Sequence, residues 1–238
     1  MRSIAPWLFA VVVLVLPLMG DVRAAGDPAK ELAALENDFE TTPLAWTESY
    51  PAFRPKYEAF AKKYPGTEQA LTAKLRLLEF TGAIRDDNDA MHAAAGTCVD
   101  GILGEFPHSE QLEKLPAMWY LFDQPKFAAV MKALADPAQP DRVKAAVLLH
   151  DASALMDNKR ADEGAAKLKE ILAKYKDVPY RYATYGDVAD AKLNPHDPAT
   201  LAVGNAAPEI AGKTMDGKPI KLSDFKGRVV VIDFFGDW

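Results

Sequence analysis

Val203-Gly-Asn-Ala-Ala-Pro208-Glu-Ile210, Met215-Asp-Gly-Lys218, Ile220-Lys-Leu-Ser-Asp-Phe-Lys-Gly227 and Arg228-Val-Val-Val-Ile-Asp-Phe-Phe-Gly-Asp-Trp238 follow one another along the stretch that decides the fold of this chain. Asp216-Gly217 between Ile210 and Ile220 is a hairpin turn signal, because both residues tolerate the positive φ that a tight turn needs. Leu222-Ser-Asp-Phe225 predicts a single helical turn with Ser223 as its cap, and Gly227 ends it. Val229 to Phe235 is a continuous apolar run holding one acid, Asp233. Such a run predicts a central strand covered on both faces.

Working outward, the composition changes at Leu193. Asn194-Pro-His-Asp-Pro198 has two prolines and no periodicity, so residues 193–200 are predicted to be a linker. Before it, residues 26–192 have helical spacing. Leu32, Leu35 and Phe39 share one face of a first helix, and Phe53, Tyr57, Phe60 and Tyr64 repeat the spacing in a second. Leu71, Leu75, Leu78 and Phe80 follow in a third. Two segments 42 residues apart, Tyr64-Pro-Gly-Thr67 and Phe106-Pro-His-Ser109, each carry an aromatic, a proline and a hydroxyl N-cap in the same order. Tyr175-Lys-Asp177 is a weaker echo. The pattern resembles tetratricopeptide-like helical arrays, without their usual signature residues. A non-repetitive helical bundle fits the same spacing.

The chain has 238 residues, 49% of them hydrophobic, and a formal net charge of -6. It has no basic patch, which points away from nucleic acid as a partner. The first 25 residues form a separate unit. Arg2 precedes an apolar run from Trp7 to Leu18, and Val22-Arg-Ala24 offers small residues before a cleavage point. This predicts a secretory signal peptide, with an uncleaved anchor as the alternative. The mature protein is expected to be exported, periplasmic or extracellular, with no stable membrane span.

The one cysteine, Cys98, lies on the helical stripe Met91, Ala94, Ala95, Cys98, Ile102 and reads as a small core residue. A resolving thiol or an intermolecular disulfide is the other reading. His92, His108, His150 and His196 are scattered without ligand spacing, and Asp86-Asp-Asn-Asp89 reads as a turn and helix cap rather than a calcium loop. With no phosphate-binding glycine loop or nucleophile elbow either, no metal or cofactor is expected.

The ordered motifs of residues 201–238 resemble exported thioredoxin-like redoxins, the TlpA-like thiol–disulfide oxidoreductases related to the alkyl hydroperoxide reductase/thiol-specific antioxidant family. The resemblance covers only those residues. With the helical spacing before it, the expected chain is mainly α: a helical N-terminal domain followed by what the resemblance implies are the first β-strands of an incomplete thioredoxin-like α/β domain. It implies that Asp233 is the buried acid that assists proton transfer, and that Trp238 flanks the first cysteine of a Cys-x-x-Cys pair. That nucleophile would occupy position 239, so the chain is expected to be a fragment and inactive as it stands. Clients with disulfides and a thiol electron donor are the partners so implied, and the helical domain would bind a peptide or protein. Peroxide reduction would need a cysteine in a different local motif. The alternative is a non-catalytic helical interaction module.

Overall fold

The structure, a computed structural model, describes residues 26–195 and 201–233. The leader, most of the linker, His196 and Trp238 lie outside these residues. The chain is mainly helical, as its spacing predicts. Its contacts divide it into two compact units, Met1–Lys144 and Ala145–Trp238, so the division falls inside a helix rather than at the composition change near Leu193. Among the described residues no helix is long and apolar enough to cross a membrane.

In the first unit, α1 (Pro28–Glu40), α2 (Trp46–Lys63), α3 (Glu68–Thr81) and α4 (Asn88–Glu105) are followed by a 3-10 segment (Glu110–Leu121) and α5 (Gln124–Leu134). Each of α1, α3, α4 and α5 starts on a side-chain cap. Asp27, Thr67, Asp87 and Asp123 accept from backbone N–H groups that the first turn would leave unpaired. Asp87 thus plays the capping part expected of the acidic run.

The core between α1, α2 and α3 is aromatic. Leu32, Phe39, Tyr50, Phe53, Tyr57, Phe60, Tyr64 and Phe80 are buried together. Phe39 packs edge-on to Phe53 at 5.2 Å between centroids, and Tyr50 lies 4.5 Å from Phe80. Each such ring contributes about 1.5–3 kcal/mol of burial. That explains how α2 persists with Pro51 and Pro55 inside it, since each proline removes one helical hydrogen bond.

The repeated punctuation is a repeated piece of geometry. Tyr64 ends α2 at φ -123°, ψ 51°, and Phe106 ends α4 at φ -128°, ψ 54°. In both, the hydroxyl residue three positions on donates its N–H back to the aromatic's carbonyl, at 3.4 Å. The two corners also hold each other. Glu105 accepts from the Gly66 N–H at 2.9 Å, and Glu68 accepts from the Ser109 hydroxyl at 2.8 Å.

In the second unit, α6 (Asp141–Asp157, counted here from Ala145), α7 (Ala161–Lys174) and α8 (Tyr185–Leu193) enclose Ala152, Leu168, Ile171, Tyr185 and Ala189. The third aromatic corner is also real: Tyr175 ends α7 at φ -131°, ψ 18°, and the Val178 N–H returns to its carbonyl. Strands β1 (Pro179–Tyr180) and β2 (Ala183–Thr184) form a minimal hairpin before α8, which Thr184 and Asp187 cap reciprocally. Strands β3 (Ala211–Lys213) and β4 (Pro219–Lys221) pair antiparallel, with Gly212 opposite Ile220.

Candidate functional site

The redoxin-like segment builds upward from its turn. Asp216-Gly217 connects β3 and β4, and Gly217 sits at φ 80°, a conformation a side chain would strain. The Gly217 N–H donates to the Thr214 carbonyl at 2.8 Å and closes the loop. The turn Leu222–Phe225 is a 3-10 turn, as the spacing predicts. Its cap differs from the expectation. Asp224, not Ser223, supplies the carboxylate, accepting from the Lys221 N–H at 2.9 Å. Ser223 is instead tied to the preceding segment, its N–H donating to Glu209 at 3.0 Å. The Ser223 hydroxyl first, and this backbone bond second, hold the Glu209 carboxyl below its ordinary range. Gly227 then reverses the chain at φ 83°.

These contacts frame a shallow cleft of about 480 Å³ between Pro208-Glu209 and Ser223–Arg228, reaching Val230. Its rim offers one carboxylate, two cations and a hydroxyl around the Phe225 ring. Its lining mixes apolar and polar groups and holds no thiol.

The covered strand expected at Val229–Phe235 is not formed by its described part. Val229 is 97% exposed, Val231 is 89% exposed, and Asp233 is exposed as well. The reason is partnership. An apolar run becomes a central strand only where other strands take up its N–H and C=O groups, and none among the described residues does. Asp233 therefore stands in water here rather than in an apolar sheet. Trp238, the other residue singled out by resemblance, lies outside the described residues.

The remaining candidates are separate. Cys98 is half-buried on α4, and burial pushes its thiol up from its ordinary value, opposite to what a reactive thiolate needs. His150 is half-buried on α6, and burial pulls its imidazole down. Among the described residues no group of three His, Cys, Asp or Glu is placed to hold a metal ion.

One cluster escaped the sequence reading. Arg76 Nη2 lies 2.6 Å from Glu36 and its Nη1 lies 2.8 Å from Glu79, with the guanidinium 5.3 Å from the Phe39 ring centroid. Tyr57 is fully buried beside Glu36. Its phenol is driven upward by burial first and by the Glu36 carboxylate second. Neither the Tyr57 hydroxyl nor Glu36 Oε1 makes a hydrogen bond of good geometry. Its residues come from three different helices, so periodicity along any one of them does not show the cluster and only their packing reveals it. Comparison with protein-family models, with curated proteins and with solved structures gives no match.

Proposed function

We propose that this chain carries the opening portion of a thioredoxin-like domain in an exported thiol–disulfide oxidoreductase, with a helical N-terminal part that engages clients. One observation carries the proposal. The four motifs of residues 203–238 occur in redoxin order, and local geometry at the middle two is compatible with it: a hairpin at Asp216-Gly217, a turn at Leu222–Phe225 and a reversal at Gly227. In such an enzyme a thiolate of Cys-x-x-Cys attacks a client disulfide and forms a mixed disulfide. The second cysteine then displaces the client thiol, so the client gains two electrons and the enzyme pair becomes a disulfide. Asp233 would move the proton to or from the attacking thiol once strands cover it, since a carboxyl in an apolar sheet titrates closer to neutrality. The chain's lone thiol, on α4, supplies neither step.

A non-catalytic interaction module is the second reading, favoured by the exposed aromatic pair Trp119 and Tyr120 on the first unit. Reading the coding sequence past the Trp238 codon separates the two. An in-frame Cys-x-x-Cys is expected, and the 238-residue polypeptide itself is expected to give no turnover in an insulin-reduction assay. A stop codon at that point, matched by the natural protein's mass, overturns the oxidoreductase.

A further inference from the structure

The 3-10 segment ends on two large rings that point into solvent. Trp119 is 58% exposed and Tyr120 53% exposed, and they meet edge-to-face with centroids 6.4 Å apart. They are not loose. Tyr120 lies against the backbone at Gly82, where an added Cβ would meet its ring at 3.9 Å. Leu121 and Phe122 behind them are buried, and Phe122 stacks on Phe127 of α5. Tryptophan and tyrosine held this way present a large contact area at little entropic cost, which is why they dominate the energetics of interfaces.

Three residues beyond Tyr120 the chain reaches a polar cleft of about 420 Å³ that runs along α4 from Asp89 to Asp100 and is closed by the start of α5 at Asp123 and Lys126. Asp89, Asp100 and Asp123 line it, with one ammonium, that of Lys126. Lys126 is committed to Asp100 at 2.7 Å, so the cleft keeps an excess of negative charge. The imbalance extends over the unit: Asp and Glu outnumber Lys and Arg 19 to 13 across residues 26–144. Asp123 also caps α5 by accepting the Lys126 N–H at 2.7 Å, yet the lining still holds more carboxylates than cations, so an exposed aromatic pair followed by this cleft favours a basic occupant.

We propose that Trp119, Tyr120 and this cleft form a docking surface for a basic segment of another protein. A Lys or Arg side chain enters between Asp89 and Asp123, and a neighbouring apolar or guanidinium group packs on the Trp119 ring. The proposal deepens the expectation that the helical part engages clients. It rests on residues of the first unit alone, so it stands or falls independently of any Cys-x-x-Cys pair.

Isothermal titration calorimetry of the full chain tests it, with a short peptide of alternating Arg and Leu and its Glu-for-Arg counterpart as control. Saturable binding of the basic peptide is expected, weakening as salt is added. Trp119→Ala should lower affinity by about tenfold or more. Asp89→Asn with Asp123→Asn should lower it several-fold while leaving thermal melting near wild type, since Asp89 is exposed and asparagine at 123 still caps α5. No binding, equal binding of the acidic control, or unchanged affinity in either variant overturns the proposal.

Discussion

Tyr57 shows how a single residue can serve the fold with only part of its side chain. Its ring sits at the centre of the α1–α3 core, 5.5 Å from Phe80 and edge-on to Phe39, while its hydroxyl is buried without a good hydrogen bond. A buried hydroxyl left unpaired costs about 1–3 kcal/mol, so its removal should not harm the protein. Tyr57→Phe is expected to leave stability unchanged or raise it by about 1 kcal/mol in urea unfolding. Tyr57→Ala is expected to lower it by about 3–5 kcal/mol, because the ring leaves a cavity. A strongly destabilised Tyr57→Phe would mean that the hydroxyl is bonded to Glu36 after all. The spacing Phe53, Tyr57, Phe60, Tyr64 marks this ring as core at sight. The carboxylate facing it comes from α1, and periodicity along one helix cannot report what another helix brings.

At the scale of elements, the paired corners are the most telling feature. The aromatic-proline-x-hydroxyl pattern is legible because each residue type has one job there: the aromatic ends a helix, and the hydroxyl starts the next. The reciprocal bonds from Glu105 to Gly66 and from Glu68 to Ser109 span some forty positions and leave no local trace. Glu105 is held below its ordinary carboxyl value of 4.5, first by Lys74 and then by the Gly66 N–H. A depressed carboxyl stabilises the fold fully above its unfolded value and loses that contribution as pH falls through the lower folded one. Glu105→Gln is therefore expected to lower stability by about 1 kcal/mol at pH 7, with the difference from wild type shrinking below pH 4.5. Thermal melts at neutral and acidic pH check it, and a difference that grows on acidification would contradict the assignment. The expected strand at Val229–Phe235 shows the opposite limit. Hydrophobicity in a row predicts burial, but burial of a strand belongs to the sheet and not to the run.

For the whole molecule, that run is expected to matter most for behaviour in solution. Val229, Val230, Val231 and Ile232 form an exposed apolar stretch of high strand propensity with no intervening charge. Such a segment pairs readily with copies of itself. Val231→Lys places a charge in its middle and is expected to slow aggregation of the 238-residue chain markedly, read by light scattering at a fixed concentration. Unchanged aggregation would place the adhesive surface elsewhere. The division of the chain inside α6 leaves no mark in composition, because a continuous helix carries no linker signal.

The crossed corners also make one helix junction a reporter on another. The Gly66 amide has a side chain from the end of α4 as its acceptor, so its exchange with solvent deuterium is governed by a remote carboxylate rather than by its own helix. Fraying at Glu105 and opening at Gly66 are then one event, and the two turns behave as a single latch on α3.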